Sequence, residues 1–248
     1  MQVKLLQWNI LYKEKIENIV KLLKEINADI ICLQELGIDC KFNPTISDTP
    51  SYVASQLGYN YYFERAHTKS DMTEMKAIGN GIFTRFKINK KSHFFTQEPK
   101  PIQKSYQDEG RVYVEVELDI DHLLFTIATT HLSYVHEFQI NNQKRAEIDK
   151  LVNYAKNKKE KYIVTGDFNC PPDSYAISEL NKYLVHCGPS FEKPTWTTKP
   201  FEYQGFNEDK LRWRLDYIFA TKDVKIISSE IVKTNYSDHL PILVKFEI

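Results

Sequence analysis

Glycine is scarce in this sequence of 248 residues, with 8 in all, and cysteine is scarcer still, with 4. No glycine/serine linker, acidic or basic tail or low-complexity tract interrupts the chain, so a single domain over residues 1–248 is expected. Cys32, Cys40, Cys170 and Cys187 form no C-x-x-C pair and show no zinc spacing with histidine. There is no excess of either charge, because lysine plus arginine and aspartate plus glutamate number 33 each. A protein that grips long duplex DNA by neutralising phosphates is more often strongly basic, so neutrality points to a local site and not to a wide basic surface. No apolar stretch approaches the roughly 20 residues needed to span a bilayer. The opening "MQVKLLQWNI" is a strand pattern, without the charged and apolar regions of a secretory signal. The expected setting is reducing and cytoplasmic. The lysines at Lys87, Lys90, Lys91, Lys100 and Lys104, and those from Lys156 to Lys161, read as solvated faces.

The sequence does have enough apolar residues, 42%, for a sizeable core. A chain of this length buries about three quarters of its unfolded surface. "VKLLQWN" reads as a strand, and "KEKIENIVKLLKEIN" as a helix with Ile16, Ile19, Val20, Leu23 and Ile26 on one face. "ADIICLQE" is a nearly continuous apolar run, as expected of a strand covered on both sides. Together they predict a β-α-β unit with parallel strands. "NGIFTRF", "RVYVEVELD" and "HLLFTIATTHL" favour strands, the last two joined by a turn at "DIDH". A helix follows with Ile140, Ile148, Leu151, Val152 and Ala155 on one face, then the strand "YIVTGDFN", a long loop, and the strands "LDYIFAT", "VKIISSEIV" and "LPILVKFEI". This alternation predicts an α/β sandwich with helices outside.

Polar residues recur where these strands end or begin. Asn9 follows the first strand, Glu35 the second, and His131 closes the strand that starts near Leu123. Asp167 and Asn169 follow "YIVTG", Asp216 opens a later strand, and Asp238 and His239 precede "LPILV". Each has a plain structural reading: Asn9 as a turn cap, Glu35 as an exposed strand end, His131 as a core histidine, Asp167 as a turn aspartate. Asp216 is harder to explain that way, because an aspartate within a strand is disfavoured and costly when buried unpaired; His239 is its natural partner. Eight such coincidences on one rim predict a site. Carboxylate and amide oxygens suit Mg²⁺ or Mn²⁺, and two histidines beside them suit phosphoester chemistry.

These segments, in order, resemble the endonuclease/exonuclease/phosphatase superfamily, which includes pancreatic deoxyribonuclease. The matching segments are "WNI", "LQE", "GNGIFTRF", "TTHL", "GDFN", "RLDYIF" and "SDHLPI", and they span nearly the whole chain. The resemblance implies a four-layer α/β sandwich, with two mixed β-sheets face to face and helices outside. It also implies a divalent-metal-dependent phosphoesterase using Mg²⁺ or Mn²⁺. Glu35 would be the main metal ligand, assisted by Asn9 and Asp238. Asp167 and Asn169 would position or deprotonate the attacking water. His239, held by Asp216, would contact the phosphate, and His131 would donate to a phosphoryl or leaving-group oxygen. Either Asp167 or His239 could be the general base. Arg111, Asn80, Trp196 and Tyr134 are candidate substrate contacts, and Arg111 reads equally as a surface arginine.

Within the superfamily, "TTHLSY" lacks the tyrosine-containing loop of apurinic-site endonucleases. It is similar to the Thr-His-Leu form of sphingomyelinases, deadenylases and tyrosyl-DNA phosphodiesterases, and "PTWTTKP" before "LRWRLDYIF" resembles the last of these. The loop from Phe191 to Trp213 mixes aromatic rings with lysines and arginines, a composition that either stacks single-stranded bases or packs the loop down. Tyr134, His136 and Phe138 are expected near the cleft. Three readings stand: a phosphodiesterase on nucleic acid ends or single strands, a phosphoesterase on a lipid-linked or small phosphate, and a non-catalytic binding module. No obligatory protein partner is evident.

Overall fold

In the computed structural model of the protein, which describes residues 1–68, 74–100 and 108–248, alternation along the strands sorts the side chains into layers. Lys104 lies outside the described residues. Strand β6 (Arg111–Ile120) shows the rule: Val112, Val114, Val116, Leu118 and Ile120 face one core, while Tyr113 joins another. A period of two is what places successive side chains on opposite faces.

Two six-stranded sheets result. The first runs in the order β13 (Lys225–Ile231), β14 (Ile242–Glu247), β1 (Gln2–Asn9), β2 (Ile30–Ile38), β4 (Ala77–Thr84), β3 (Asn60–Thr68). The second runs β5 (Lys87–Gln97), β6, β7 (Leu123–His131), β8 (Tyr162–Asp167), β12 (Asp216–Ala220), β9 (Val185–His186). Among the described residues, β1 with β2 and β7 with β8 pair in parallel and the other neighbours antiparallel, so both sheets are mixed. Val3, Ile30 and Ile82 of the first sheet pack against Val114, Ile127 and Ile163 of the second. Helices α1 (Ile16–Ile26) and α2 (Thr49–Leu57) cover the outer face of the first sheet, and α3 (Asn142–Ala155) and α4 (Tyr175–Asn181) that of the second. The expected four-layer α/β sandwich is therefore the architecture. Among the described residues, no helix is long and apolar enough to cross a membrane.

Several elements were not anticipated. Residues 39–68 contain α2, started by the Asp48 carboxylate accepting from the Ser51 amide at 2.9 Å, and the edge strand β3. The segment read as one long loop after β8 contains α4, β9 and a hairpin of β10 (Phe201–Tyr203) and β11 (Phe206–Glu208). Ile140 packs with the apolar face of α3 but precedes the helix, whose Asn141 cap accepts from the Lys144 amide at 2.8 Å. The lysines of β5 at Lys87, Lys90 and Lys91 are exposed along the edge of their sheet, as expected of a solvated face.

Strand order explains how distant residues meet. The parallel pair β7–β8 sets His131 opposite Asp167, and the antiparallel pair β8–β12 sets Asp167 opposite Asp216. Gly166 lies in the middle of this arrangement with φ of 154°. A Cβ there would stand 2.1 Å from the Thr130 carbonyl oxygen, so only glycine lets β8 approach β7 this closely. At the outer end of the second sheet, the His186 ring stacks near Phe191, with centroids 4.3 Å apart, and against Tyr217 and Phe219 of β12. Burial, reinforced by the nearby Arg214 guanidinium, pushes its pKa down to about 4.

Two tests follow from this packing. Gly166→Ala is expected to cost on the order of 3 kcal/mol of stability, read by urea unfolding. Wild-type stability in that variant would show that the strands can part without penalty. For His186, the folded pKa lies below the ordinary histidine value, so the unfolded chain takes the proton first. Stability is therefore complete above about pH 6.5 and is lost as pH falls towards 4. Between pH 8 and pH 4.5 this group should remove stability on the order of 2 kcal/mol, an acid-side slope that His186→Leu should lack.

Candidate active site

The site is built at one end of the sandwich, where a bulge re-aims a side chain. The register between β2 and β4 shifts between Leu33 and Leu36, and Glu35 within it has φ of 63°. The kink turns the Glu35 carboxylate into a cleft of about 180 Å³. Glu35 Oε2 accepts from the Tyr12 amide at 3.2 Å and Oε1 from Asn9 Nδ2 at 3.0 Å. Asn9 Nδ2 also donates to Asp167 Oδ2 at 3.1 Å, so one amide stands between the two acids. Its Oδ1 accepts from the Leu11 amide at 3.1 Å. Asn9 thus serves as the turn residue its sequence suggested, and it offers the acids a donor and not an oxygen.

Asp167 is the point where the elements converge. Besides Asn9, His131 Nε2 lies 3.4 Å and His239 Nε2 3.5 Å from its Oδ2. The other oxygen, Oδ1, accepts from the Asn169 amide at 2.9 Å. Asn169, with φ of 47°, bends the chain so that its Nδ2 reaches the Leu132 carbonyl at 3.0 Å and His131 Nε2 at 3.1 Å. His239 Nδ1 meets Asp216 Oδ2 at 2.8 Å, so the ring spans two buried carboxylates. Trp8 Nε1 donates to the His239 carbonyl at 2.9 Å, and Trp196 Nε1 to Asp238 Oδ2 at 3.0 Å, which fixes the segment 237–239.

The electrostatics follow from burial and proximity. Burial disfavours a charge on His239, but Asp216, Asp167 and Asp238 outweigh it and hold the ring well above the usual histidine range. Burial pushes Asp167 up to about 6, with His239 opposing and Asp216 adding to the rise. Burial and the Arg111 charge hold His131 well below its ordinary value, as a neutral ring. Burial and the neighbouring Asp238 push Glu35 up to about 7.

That last pair tests whether the residues fit a divalent cation. Glu35 and Asp238 bring two carboxylates to the cleft, and Asp238 raises the cost of charge on Glu35. Hard oxygen donors in this position suit Mg²⁺ or Mn²⁺. Asp167, Asp216 and His239 also cluster within 4.8 Å. In that group the histidine already bridges the acids, which makes it a proton-transfer chain more than a cage for an ion. A carboxylate poised near neutrality can accept a proton from water, and a charged imidazole can donate to an anionic oxygen.

All the remaining expected residues except His136 line the cleft. Asn80 reaches it while its Nδ2 donates to the Val112 carbonyl at 2.8 Å. Arg111 is not a surface arginine: it is 6% exposed, pairs with Glu109 at 3.0 Å and borders the cleft beside His67. Tyr134, Phe138, Trp196 and Phe201 form an aromatic wall. His136 packs against Phe206 outside the lining. In the segment Phe191–Trp213, Phe206 and Trp213 pack behind the wall, Arg212 pairs with Glu208, and the buried Arg214 binds the carbonyls of Lys193, Pro189 and Asp216. Packing accounts for these rings and for Arg214, whereas Lys193, Lys210 and Arg212 are exposed.

Sequence reasoning missed the floor of the site. Gln7 and Gln34 exchange hydrogen bonds at 2.8 and 2.9 Å between their side chains. Gln7 also donates to Asp216 Oδ1 at 3.0 Å, and Gln34 to Thr129 Oγ1 at 2.7 Å. The signal was present: a glutamine two residues before Asn9 and another one residue before Glu35, in otherwise apolar runs.

Solved structures share this architecture. An endonuclease/exonuclease/phosphatase from Bacteroides vulgatus is 16% identical, with a TM-score of 0.73, over 100% of this chain and 99% of that one. A mannosyl-6-phosphatase from Bacteroides thetaiotaomicron is 17% identical with a TM-score of 0.69, over 99% of this chain and 100% of that one. TDP2 from D. rerio, complexed with a single-strand DNA product, is 18% identical with a TM-score of 0.68, over 100% of this chain and 99% of that one. No curated protein matches the sequence. The family model described as Endonuclease/Exonuclease/phosphatase family matches residues 6–239, from within β1 to His239 itself, and the chain belongs to that family.

Proposed function

We propose that the protein is a divalent-cation-dependent phosphodiesterase that hydrolyses its ester with activated water, acting on nucleic acid ends or single strands. The observation that supports this most is the convergence on Asp167, where Asn9, His131 and His239 from three separate strand ends lie within 3.5 Å of one carboxylate oxygen. Glu35, assisted by Asp238, would hold the cation. Bound there, Mg²⁺ or Mn²⁺ supplies charge neutralisation at the phosphoryl oxygens.

The chain's own groups do the rest. Asp167, aligned by the Asn169 amide, accepts the proton of the attacking water. His239 is already held as a cation by Asp216, so it serves as a donor to the phosphate and not as the base. The neutral His131 ring, held by Asn169, assists the leaving-group oxygen. Asn80, Arg111, Tyr134 and Trp196 bound the space in which the ester sits.

The cleft's size supports a narrow substrate. At about 180 Å³ it falls below the roughly 300–1,000 Å³ typical of sites for larger ligands. It suits a phosphate with one attached ring and not a duplex. Trp196 and Phe201 offer that ring an aromatic wall. The single-strand DNA product held by the D. rerio relative supports the nucleic acid reading. A lipid surface has less support, because the exposed Leu123 and Leu124 start β7 at the end opposite His131. That separation is roughly 26 Å along the strand. The compact cleft also favours a second reading, a sugar phosphate, in line with the mannosyl-6-phosphatase of the same fold.

Hydrolysis of bis-p-nitrophenyl phosphate should vanish on chelation and return with Mg²⁺ or Mn²⁺. Asp167→Ala and His239→Ala should each lower kcat on the order of 10² to 10⁴-fold. Near-normal rates in both variants would reject these roles, and cation-independent activity would reject the metal assignment. Against a panel of single-stranded DNA, RNA, 5′-adducted ends, sphingomyelin, inositol phosphates and mannose 6-phosphate, the nucleic acids should show the highest kcat/KM. Preference for mannose 6-phosphate would move the assignment to the second reading.

A further inference from the structure

A lysine with no exposed surface at all sits behind the site. Lys144, in the first turn of α3, is 0% exposed. Lysine is rarely buried unless its ammonium group is satisfied, because desolvating the charge is costly. Here Nζ donates to the Ser133 carbonyl at 2.5 Å and to the Phe168 carbonyl at 2.8 Å. One turn further along the helix, Glu147 is 1% exposed and accepts from the Ser133 amide at 3.2 and 3.1 Å. Thr96 Oγ1 donates to the same carboxylate at 3.2 Å.

The two acceptors of Lys144 stand at telling places. Ser133 is two residues after His131, and Phe168 lies between Asp167 and Asn169. Both segments leave the sheet at that point, beyond the reach of the β7–β8 ladder, which ends at the pair His131 and Asp167. Without a ladder, two carbonyls from different segments need another donor. Glu147 holds the amide side of Ser133 while Lys144 holds its carbonyl side, so the residue is gripped from both ends.

We infer that Lys144 is a positioning residue: it ties the segment after β7 to the segment after β8 and so holds Asn169 in place against His131, whose pairing with Asp167 the strand ladder already fixes. It does not line the cleft; it reaches the site through the two backbone carbonyls and through its charge, which adds to the lowering of the His131 pKa. Reacting groups misplaced by about 1 Å can lose 10²-fold in rate, so a small relaxation of this tie has a disproportionate effect. The effect should fall on turnover and not on binding. This inference rests on the proposed phosphoester chemistry for its kinetic consequences, but not for its structural ones.

The experiment compares Lys144→Met, Lys144→Arg and a control, Leu151→Ala, which hollows the same helix's packing without touching either carbonyl. Leu151 is fully buried in the core beneath α3 and takes no part in the site. With Mg²⁺ and bis-p-nitrophenyl phosphate, Lys144→Met should lower kcat 10- to 100-fold with KM within 2-fold of wild type. Lys144→Arg should recover most of that loss, leaving kcat 3- to 10-fold low. Leu151→Ala should lower Tm while leaving kcat of the folded protein unchanged. An unchanged kcat in Lys144→Met, or an equal loss in Leu151→Ala, overturns the inference in favour of mere stability.

Should Lys144→Met fail to fold, Lys144→Arg decides. Its larger cationic head still satisfies both carbonyls but spreads them, so a wild-type kcat in that variant overturns the inference. Hydrogen exchange supplies a measurement free of activity. In Lys144→Met, or in Lys144→Arg if the former does not fold, the Ser133 and Asn169 amides should exchange at least 10-fold faster than in Leu151→Ala. If the wild type hydrolyses no phosphoester, the functional reading fails, and exchange alone judges the tie: no change at these amides then overturns it.

Discussion

Two aspartates of like charge are set directly opposite one another, Asp167 on β8 and Asp216 on β12, and both are 1% exposed. Like charges facing across strands repel, and burial deepens the penalty. The fold tolerates the pair because the His239 ring, delivered from the other sheet, lies between them. That imidazole, together with the Asn9 and Gln7 amides, makes the two sheets depend on each other at this end. The segment 237–239 must arrive at a defined height, which is why Trp8, Trp196 and the Ser237 hydroxyl all hold it. Removing the ring would leave the acids to settle their charge by protonation or by parting the strands.

The same economy governs the space between the sheets. Over most of its depth that space is filled by aliphatic side chains. Near the site it changes to Gln7, Gln34, Thr129 and Thr165, bonded to one another from sheet to sheet. A satisfied polar layer of this kind can be buried at little cost and specifies one register. It converts an apolar core into a polar floor within one or two residues of strand, and the functional groups stand on that floor. The geometry of the cleft is therefore inherited from strand pairing, with one bulge at Glu35 and one tight approach at Gly166 as local adjustments.

Much of this was legible in the sequence, and the exceptions have physical causes. Asn9, Glu35, His131, Asp167 and His239 were visible because each polar residue closes or precedes an apolar strand, where only a turn or a site explains it. Gln7 and Gln34 were passed over because uncharged side chains inside a strand carry little signal of their own. Lys144 and Glu147 carry no distinguishing mark in the sequence, since periodicity cannot tell a buried ion from an exposed one. The helix α4 and the short strands β9, β10 and β11 do not stand out from loop in the sequence because elements of two to seven residues hold too few periods to register. The ring-rich segment before Trp213 suited stacking and packing equally well, and three-dimensional context was needed to show that most of it packs.

The lysines along β5 have a consequence for how copies of the molecule meet. This strand closes its sheet, so among the described residues one row of its amides and carbonyls has no neighbouring strand. Such a row is a template for unwanted strand addition, the first step towards fibrous aggregates. With Lys87, Lys90 and Lys91 exposed along it, two copies approaching edge to edge bring like charges together before any backbone bond can form. The positive fringe thus acts as a gatekeeper of colloidal behaviour, most effective in dilute salt and weakened as added ions screen it.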